Sequence, residues 1–288
     1  MDYALVVALE MVRAIAWLVL LSAGLAIIFG MMRIINFAHG EFLMLGGYTV
    51  VISTGHGVNE WVAMLVLAPI VVGIFGVLVE RLVIQRLYGR ILDSLLATWG
   101  LSMLMIGGVT MIFGNSVTGV ATPLGGMAIG AYQVPRYNFV LIIAAALLLV
   151  AIWAVLKFTK AGLIARATMQ NPDMAETLGI RTRWVYMLTF GIGSAITGLA
   201  GALLAPLTGV VPTMGVNFIA QSFITVITGG AAVITGTLSA ATLLGTISQG
   251  TTFLSGPVYG DAALLVAALV LLRLLPQGIT GRIFKRSI

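Results

Sequence analysis

The stretch WVYMLTFGIGSAITGLAGALLAPLTG, residues Trp184–Gly209, opens a longer segment that determines the fold class of this chain. The whole segment, Trp184–Gly260, contains no Asp, Glu, Lys, Arg or His. A helix crosses the hydrocarbon core of a bilayer with about 20 apolar residues, so the segment has room for roughly three crossings. The chain is therefore expected to be an integral membrane protein.

The composition of the whole chain agrees with this expectation. Its 288 residues are 60% hydrophobic and only 8% charged, whereas soluble domains contain about 25% charged residues. The net charge of +6 comes from basic residues that cluster between apolar segments, which indicates membrane orientation rather than nucleic acid binding. The chain has no cysteine, which excludes disulfides and thiol chemistry.

Nine apolar segments predict an all-α polytopic bundle of about eight to ten spans, with broken or re-entrant helices, in one transmembrane domain covering residues 1–288. The segments are Tyr3–Ile28, Ile34–Ile52, Trp61–Val79, Leu95–Phe113, Phe139–Leu156, Val185–Leu207, Phe218–Ile234, Leu238–Leu254 and Ala262–Leu275. Within the sixth segment, small residues recur at four-residue spacing, which predicts tight helix packing. These residues are Ser194, Gly198 and Ala202, then Thr197, Gly201 and Ala205.

Three basic clusters orient the bundle, because basic loops stay on the cytoplasmic side. The clusters are Arg81, Arg86 and Arg90; Lys157, Lys160, Arg166, Arg181 and Arg183; and Arg282, Lys285 and Arg286. By the same alternation, the loops Asn115–Arg136 and Ser255–Asp261 face outward. The acidic N-terminus is then outside, and Arg33 is inside.

The run INFAHGEFLMLGGY, residues 35–48, places His39, Gly40 and Glu41 between strongly apolar stretches. Ionisable groups in such surroundings are costly and are by default candidates for a transport path. His39 and Glu41 are two residues apart and do not share a helix face, so these two alone are not expected to form a metal or acid–base site. We expect Glu41 to pair with a cation, either Arg33 or one from another chain; direct contact with solute is the alternative.

A second polar run resembles the first. Asn36 and Asn217 are each followed by Phe, in NFAHGEF and NFIAQSF, and the two runs are either remnants of an internal repeat or a chance similarity. Asn36 can open a half-helix by capping free N–H groups, and Gly40 permits close backbone approach. The neutral polar residues that we expect to line a pathway are Asn217, Gln221, Thr225 and Thr228. Such a lining suits a neutral or zwitterionic solute that passes briefly.

The segment QNPDMAETLGIRT, residues Gln170–Thr182, predicts a short helix within a cytoplasmic loop at residues 158–184. Asn171 can cap its N-terminus, Pro172 suits the first helical position and Gly179 suits a left-handed stop. A helix of about two turns has little stability of its own and needs something to dock against.

Two interpretations of this short helix are open. It is either a surface turn packed on its own bundle or a docking site for a soluble partner. Met174, Ala175 and Leu178 form a small apolar face in the second interpretation, and an apolar spot rimmed by charge suits an interface. Asp173 and Glu176 favour the positive N-terminal half of the helix.

Five stretches together carry a family resemblance over nearly the whole chain. They are GLAIIFGMMRIINFAHGEFLMLGGY from Gly24, LYGRILDSLLATWGLS from Leu87, NPDMAETLGI from Asn171, LTFGIGSAITGLAG from Leu188 and LLPQGITGR from Leu274. They resemble the permeases of ABC importers that handle branched-chain amino acids, urea and short-chain amides. In this light the 36–41 cluster is interpreted as a broken-helix element near the cytoplasmic side that shapes and latches a gate.

The resemblance implies partners. A second permease chain, usually a different one, would complete the pathway, two cytoplasmic ATPases would bind ATP and Mg and drive transport, and an extracytoplasmic binding protein would deliver solute. The segment Asn171–Gly179 resembles the coupling helix that sits in a groove of the ATPase. The chain has no GxxxxGK[ST] phosphate loop, so we expect a transport subunit without catalytic residues, metal or cofactor of its own. It is expected in a bacterial or archaeal inner membrane, in contact with lipid and not with nucleic acid.

The solute is expected to be urea or a short-chain amide, because LYGR…LDSLLATWG resembles that branch of the family more closely. The first alternative is a branched-chain or related amino acid, and the second is a passive urea or amide channel. The glycine segment TGGAAVITGT, from Thr228, departs from the pattern common in the family.

Overall fold

The computed structural model describes residues 2–130, 132–230 and 232–284, and most of them are helical. The helices are α1 (Asp2–Met32), α2 (His39–Gly55), α3 (Glu60–Val62), α4 (Ala68–Leu82), α5 (Ile91–Phe113), α6 (Tyr137–Phe158), α7 (Lys160–Gln170), α8 (Pro172–Thr177), α9 (Thr182–Thr208), α10 (Met214–Gly229), α11 (Val233–Ser255), α12 (Pro257–Leu274) and α13 (Gly278–Phe284). A π-helical turn, Ala63–Leu67, joins α3 to α4. Strands β1 (Gly126–Ile129) and β2 (Tyr132–Pro135) form an antiparallel hairpin. Lys285 and Arg286 of the third basic cluster lie outside the described residues.

Among the described residues, six helical segments are long and apolar enough to cross a membrane. They are α1, the continuous segment Glu60–Leu82, α5, α6, α9 and the segment Pro257–Gly281. Helices α10 and α11 meet at a bend of 115° and make a seventh if they form one broken span. The polytopic all-α bundle is confirmed, with fewer spans than the eight to ten expected.

Two features account for the lower count. The second apolar segment was expected to begin at Ile34, but α2 begins at His39 and has only 17 residues. The predicted spans Phe218–Ile234 and Leu238–Leu254 become the sharply bent pair α10 and α11. Apolar runs in the sequence therefore overstate the number of full crossings, because a run continues where the helix itself breaks.

The chain separates into two compact units. Unit 1 comprises Met1–Ser22, Thr122–Ala151 and Gln221–Ile288, and unit 2 comprises Ala23–Ala121 and Ile152–Ala220. The division falls inside α1, α6 and α10, so neither unit is a separate stretch of the chain. The single transmembrane domain stays a prediction.

Within unit 1, the start of α1 meets the β hairpin and the end of α11. The Tyr3 ring lies 6.0 Å from that of Tyr132 and 6.4 Å from that of Phe253, centroid to centroid. About two helical turns further along α1 lies Glu10, whose Oε1 accepts a 2.8 Å hydrogen bond from Asn138 Nδ2. The start of α1 therefore lies at the same end of unit 1 as the β hairpin and the end of α11, next to the loops expected to face outward.

Within unit 2, α9 packs against both α2 and α4. The small residues spaced by four along α9 are all buried, which agrees with their predicted packing role. Phe42 of α2 makes edge-to-face contacts with Phe75 of α4, at 5.7 Å between ring centroids, and with Phe190 of α9, at 6.1 Å. Such aromatic pairs contribute about 0.5–1.5 kcal/mol beyond the area they bury.

The first two basic clusters meet at one end of unit 2. Arg183 donates a hydrogen bond to Gln85, and the rings of Tyr88 and Tyr186 lie 5.2 Å apart. This proximity agrees with the prediction that both clusters face the cytoplasm.

Candidate functional site

The polar run before α2 forms a turn that is hydrogen-bonded to α5. Asn36 Oδ1 accepts a 3.0 Å hydrogen bond from Ala38 N, and Phe37 N donates a 3.1 Å bond to Thr98 Oγ1. Asn36 therefore stabilises the turn that leads into the helix, and the helix begins at His39 rather than at Asn36. The expected break in the helix is present, but Asn36 closes a local turn instead of capping a half-helix.

Glu41 is 1% exposed in the first turn of α2. Ser102 of α5 hydrogen-bonds its carboxyl group, while its Oε2 has no hydrogen-bond partner among the described residues. The expected pairing with Arg33 is wrong, because Arg33 is exposed and the two ion pairs found among the described residues are Arg13–Glu10 and Arg90–Asp93. A buried oxygen without a partner is costly, so a group outside this chain is expected to satisfy it.

His39 and Gly40 are both buried against neighbouring helices of unit 2. His39 Nδ1 lies 3.5 Å from Thr197 Oγ1 of α9. Gly40 lies against the backbone of Gly215: a Cβ added to Gly40 would be 2.6 Å from the carbonyl carbon and 2.9 Å from the Cα of Gly215. The close backbone approach predicted for Gly40 is therefore confirmed.

The residues of α5 that contact this turn and the start of α2 were not predicted from the sequence. Ser94, Thr98 and Ser102 recur at four-residue spacing and are buried on one side of an otherwise apolar helix. Thr98 and Ser102 are the hydrogen-bond partners of Phe37 and Glu41. Their four-residue spacing along a largely apolar helix could have predicted a shared polar face, because residues four apart lie on the same side of a helix.

The second polar run has a different local structure from the first. Asn217 lies inside α10 and is exposed, whereas Asn36 precedes its helix and is buried. This difference counts against an internal repeat of the two runs. Asn217 belongs to unit 2, together with the 36–41 cluster, and Gln221, Thr225 and Thr228 belong to unit 1.

Of the unit 1 candidates, Thr225 and Thr228 are buried and Gln221 is partly exposed. Thr225 Oγ1 donates a 2.7 Å hydrogen bond to Gln221 O within its own helix. Thr228 Oγ1 has no partner among the described residues. The role of these three residues along a pathway stays a prediction.

Replacing Glu41 by glutamine tests the role of the buried cluster. The side chain keeps its size and a hydrogen-bond acceptor for Ser102, but it loses its charge. We expect a severalfold lower rate of solute uptake, or weaker assembly, with an unchanged order of solute preference, because Glu41 connects α2 to α5. Uptake competition in reconstituted vesicles measures this order, and a changed preference with normal assembly would contradict it.

Helix α8 has the caps that the sequence predicts. Asn171 Oδ1 accepts a 3.0 Å hydrogen bond from Met174 N, and Pro172 is the first helical residue. Gly179 has a φ of +85°, and its N–H donates a 2.9 Å bond to Glu176 O. A left-handed residue at this position is the common way for a helix to end.

The exposed face of α8 is smaller than expected. Met174 is 58% and Leu178 is 74% exposed, but Ala175 is only 2% exposed, so its place on an outer apolar face is wrong. Glu176 accepts a hydrogen bond from Thr182, the first residue of α9. The helix is thus anchored to the bundle on one side and presents two large apolar side chains on the other.

The structure also fills the predicted loop at residues 158–184 with a further helix, α7. Thr159 Oγ1 caps it by accepting a 3.0 Å hydrogen bond from Gly162 N. Threonine is a favourable N-cap residue, so Thr159 was the sequence signal for this helix.

A basic cavity of about 590 Å³ lies at the end of unit 2 that is expected to face the cytoplasm. Arg81, Arg86 and Arg183 line it together with Glu176 of α8. Tyr88, also in its wall, donates a hydrogen bond to the buried Glu80. Burial and the adjacent carboxylate raise the pKa of Tyr88 well above its usual range, so the phenol keeps its proton and stays a hydrogen-bond donor.

Known proteins resemble this chain over nearly its whole length. The family described as the permease component of the branched-chain amino acid transport system matches residues 7–275. The probable branched-chain amino acid transport permease LivH of Methanocaldococcus jannaschii is 27% identical over 93% of this chain and 90% of its own length. No solved structure shows a significant match.

Two further relatives transport different kinds of solute, according to their names. The high-affinity branched-chain amino acid permease BraD of Pseudomonas aeruginosa is 27% identical over 91% of both chains. The ribose import permease RbsC of Escherichia coli is 26% identical over 83% of this chain and 75% of its own length. The family match and the apolar helices describe a multi-pass inner-membrane transport subunit. The chain belongs to the permease-component family of branched-chain amino acid transport systems.

Proposed function

We propose that this chain is one of two permease subunits of an ATP-driven importer for branched-chain or closely related amino acids. The observation that carries the proposal is the family match across residues 7–275. Relatives named as branched-chain amino acid permeases align with more than nine-tenths of the chain, which supports the same solute class.

The expected preference for urea or amides is not supported by these relatives. Two polar residues of the segment that favoured it, Leu87–Ser102, have partners within the chain: Thr98 contacts the turn before α2, and Ser102 contacts Glu41 in the first turn of α2. These contacts give Thr98 and Ser102 a structural role. The resemblance of a ribose permease suggests that members of this fold differ in solute, and a separate binding protein would then set much of the specificity.

Helix α8 supports an ATPase as the cytoplasmic partner. Met174 and Leu178 are exposed here, and Glu176 of the same helix lines the basic cavity. Large apolar side chains rimmed by charge suit a docking surface. A second permease chain would form the other half of the pathway, and an extracytoplasmic protein would deliver the solute. ATP and Mg would be bound by the ATPase.

A continuous set of contacts within unit 2 connects α8 to the buried polar cluster. Glu176 of α8 accepts a hydrogen bond from Thr182 of α9, and α9 packs against α2. Further along α9, Thr197 lies beside His39. In the proposed mechanism of alternating access, closure of the ATPases moves α8, and α9 transmits that movement to the start of α2.

The test is uptake by the assembled transporter in proteoliposomes. The chain is reconstituted with a second permease, the ATPases and a binding protein. Uptake of labelled leucine, ribose, urea and acetamide is then compared with and without ATP. We expect ATP-dependent uptake of leucine, with competition by isoleucine and valine. Uptake of urea by this chain alone, without ATP, would replace the proposal with a passive channel.

A further inference from the structure

A second cavity, of about 350 Å³, lies within unit 1 and combines opposite charges with an apolar wall. Arg13 of α1 and Asp261 of α12 both line it. Its volume is at the small end of ligand pockets, which have roughly 300–1,000 Å³. The start of α1 lies beside the β hairpin, so this end of unit 1 is on the side expected to face outward.

Arg13 is held in one orientation by its neighbours. Its Nε donates to Glu10 Oε2 at 2.5 Å, and Glu10 in turn accepts the hydrogen bond from Asn138. The two terminal amino groups of Arg13 make no hydrogen bond among the described residues. A guanidinium group held this way can offer those donors to a carboxylate. Charged side chains within an apolar span are by default candidates for a substrate pathway.

The opposite charge comes from Asp261, which is exposed and makes no ion pair or hydrogen bond with the described part of the chain. It lies beyond the first turn of α12, so it does not cap that helix. The side-chain amides of Gln221 and Gln249 also line the cavity and have no hydrogen-bond partner within the described residues. Two charges of opposite sign and two neutral amides are therefore available to a ligand.

The rest of the wall is apolar. Leu18 and Leu264 are both 3% exposed and lie beside the polar groups, and Trp17 also faces the cavity. An aliphatic side chain could be buried here at about 25 cal/mol per Å² of apolar surface removed from water. The cavity lining thus includes a cation, an anion and apolar side chains, which are the three kinds of group that an aliphatic amino acid zwitterion would need.

We propose that this cavity binds an aliphatic α-amino acid, with its carboxylate on Arg13, its ammonium group on Asp261 and its side chain against Leu18 and Leu264. The proposal rests on the proposed function, because it names a subsite for the same solute class within the permease itself. It assigns to the permease a selection for zwitterions that is independent of the binding protein.

Saturation-transfer NMR on the purified permease, without partner subunits or ATP, tests direct binding. The probes are L-leucine, leucinamide, which lacks the carboxylate, and 4-methylpentanoate, which lacks the ammonium group. We expect L-leucine to bind about tenfold or more tightly than either analogue, the effect of roughly one lost charge-assisted hydrogen bond. Arg13→Gln and Asp261→Asn should each weaken leucine binding by a similar factor. The exposed outer residues in Arg136→Gln and Asp2→Asn serve as matched controls.

The two variants separate ligand binding from damage to the fold. Arg13→Gln also removes the ion pair with Glu10, whereas Asp261→Asn removes no contact within the described residues. A loss of binding in both variants therefore supports the proposed site. Equal binding of leucine and 4-methylpentanoate, unaffected by both variants, would show a lipid-like apolar occupant and overturn the proposal. Absence of leucine binding to the wild-type permease would also overturn it, while ATP-driven leucine uptake by the full transporter would still stand. Leucine binding without any amino acid uptake would instead contradict the proposed function alone.

Discussion

The Gly40→Ala variant is expected to yield little folded permease and to melt at a clearly lower temperature. An added Cβ would lie closer than 3.0 Å to the carbonyl carbon and Cα of Gly215. Both sides of this contact are backbone, so no change of rotamer can relieve it. Overpacking of a core costs about 1–3 kcal/mol, and we expect at least the upper end of that range here.

Gly107→Ala is the matched control, since Gly107 lies inside α5 and an added Cβ meets no atom within 4 Å. The same substitution there should be neutral or should stabilise the helix by about 0.5–1 kcal/mol. Size-exclusion chromatography and thermal unfolding in detergent measure both variants. Equal yields and equal melting temperatures would show that α2 and Gly215 do not pack as described.

The double variant Met174→Asp, Leu178→Asp is expected to abolish ATPase association while leaving the permease folded. Both side chains are mostly exposed, so the bundle loses little packing. If α8 is the docking helix, charges at the centre of its contact should cost about 2 kcal/mol or more, a loss of roughly 30-fold in affinity. Co-purification of the ATPase and ATP-driven uptake should fall together.

Leu124→Asp provides the matched control for the added charge. Leu124 is an exposed leucine in the loop expected to face outward, and its φ of +80° suits an aspartate better than a leucine. This variant should retain both ATPase binding and uptake. Normal ATPase co-purification with the α8 double variant would contradict a docking role for Met174 and Leu178.

Helix α8 was predictable from the sequence because its determinants are local. Asn171 and Gly179 each act through a hydrogen bond to a residue three positions away, and those bonds depend on local sequence order. The membrane location and the protein family could also be predicted from the sequence, because apolar runs and the order of motifs are properties of the sequence. The prediction that Ala175 lies on the exposed face was wrong, because the burial of a residue depends on which side of α8 packs against the bundle.

The buried cluster depended on both local sequence and long-range packing. That His39, Gly40 and Glu41 interrupt an apolar stretch, and that Gly40 allows a close approach, could be predicted from the residues alone. The partners Thr98, Ser102 and Gly215 lie about 60 or more residues away along the chain, so their identity depends on how helices pack and not on local spacing. For the same reason, the sequence could not predict that Arg13 and Asp261 line one cavity, because they are about 250 residues apart and are brought together only by helix packing.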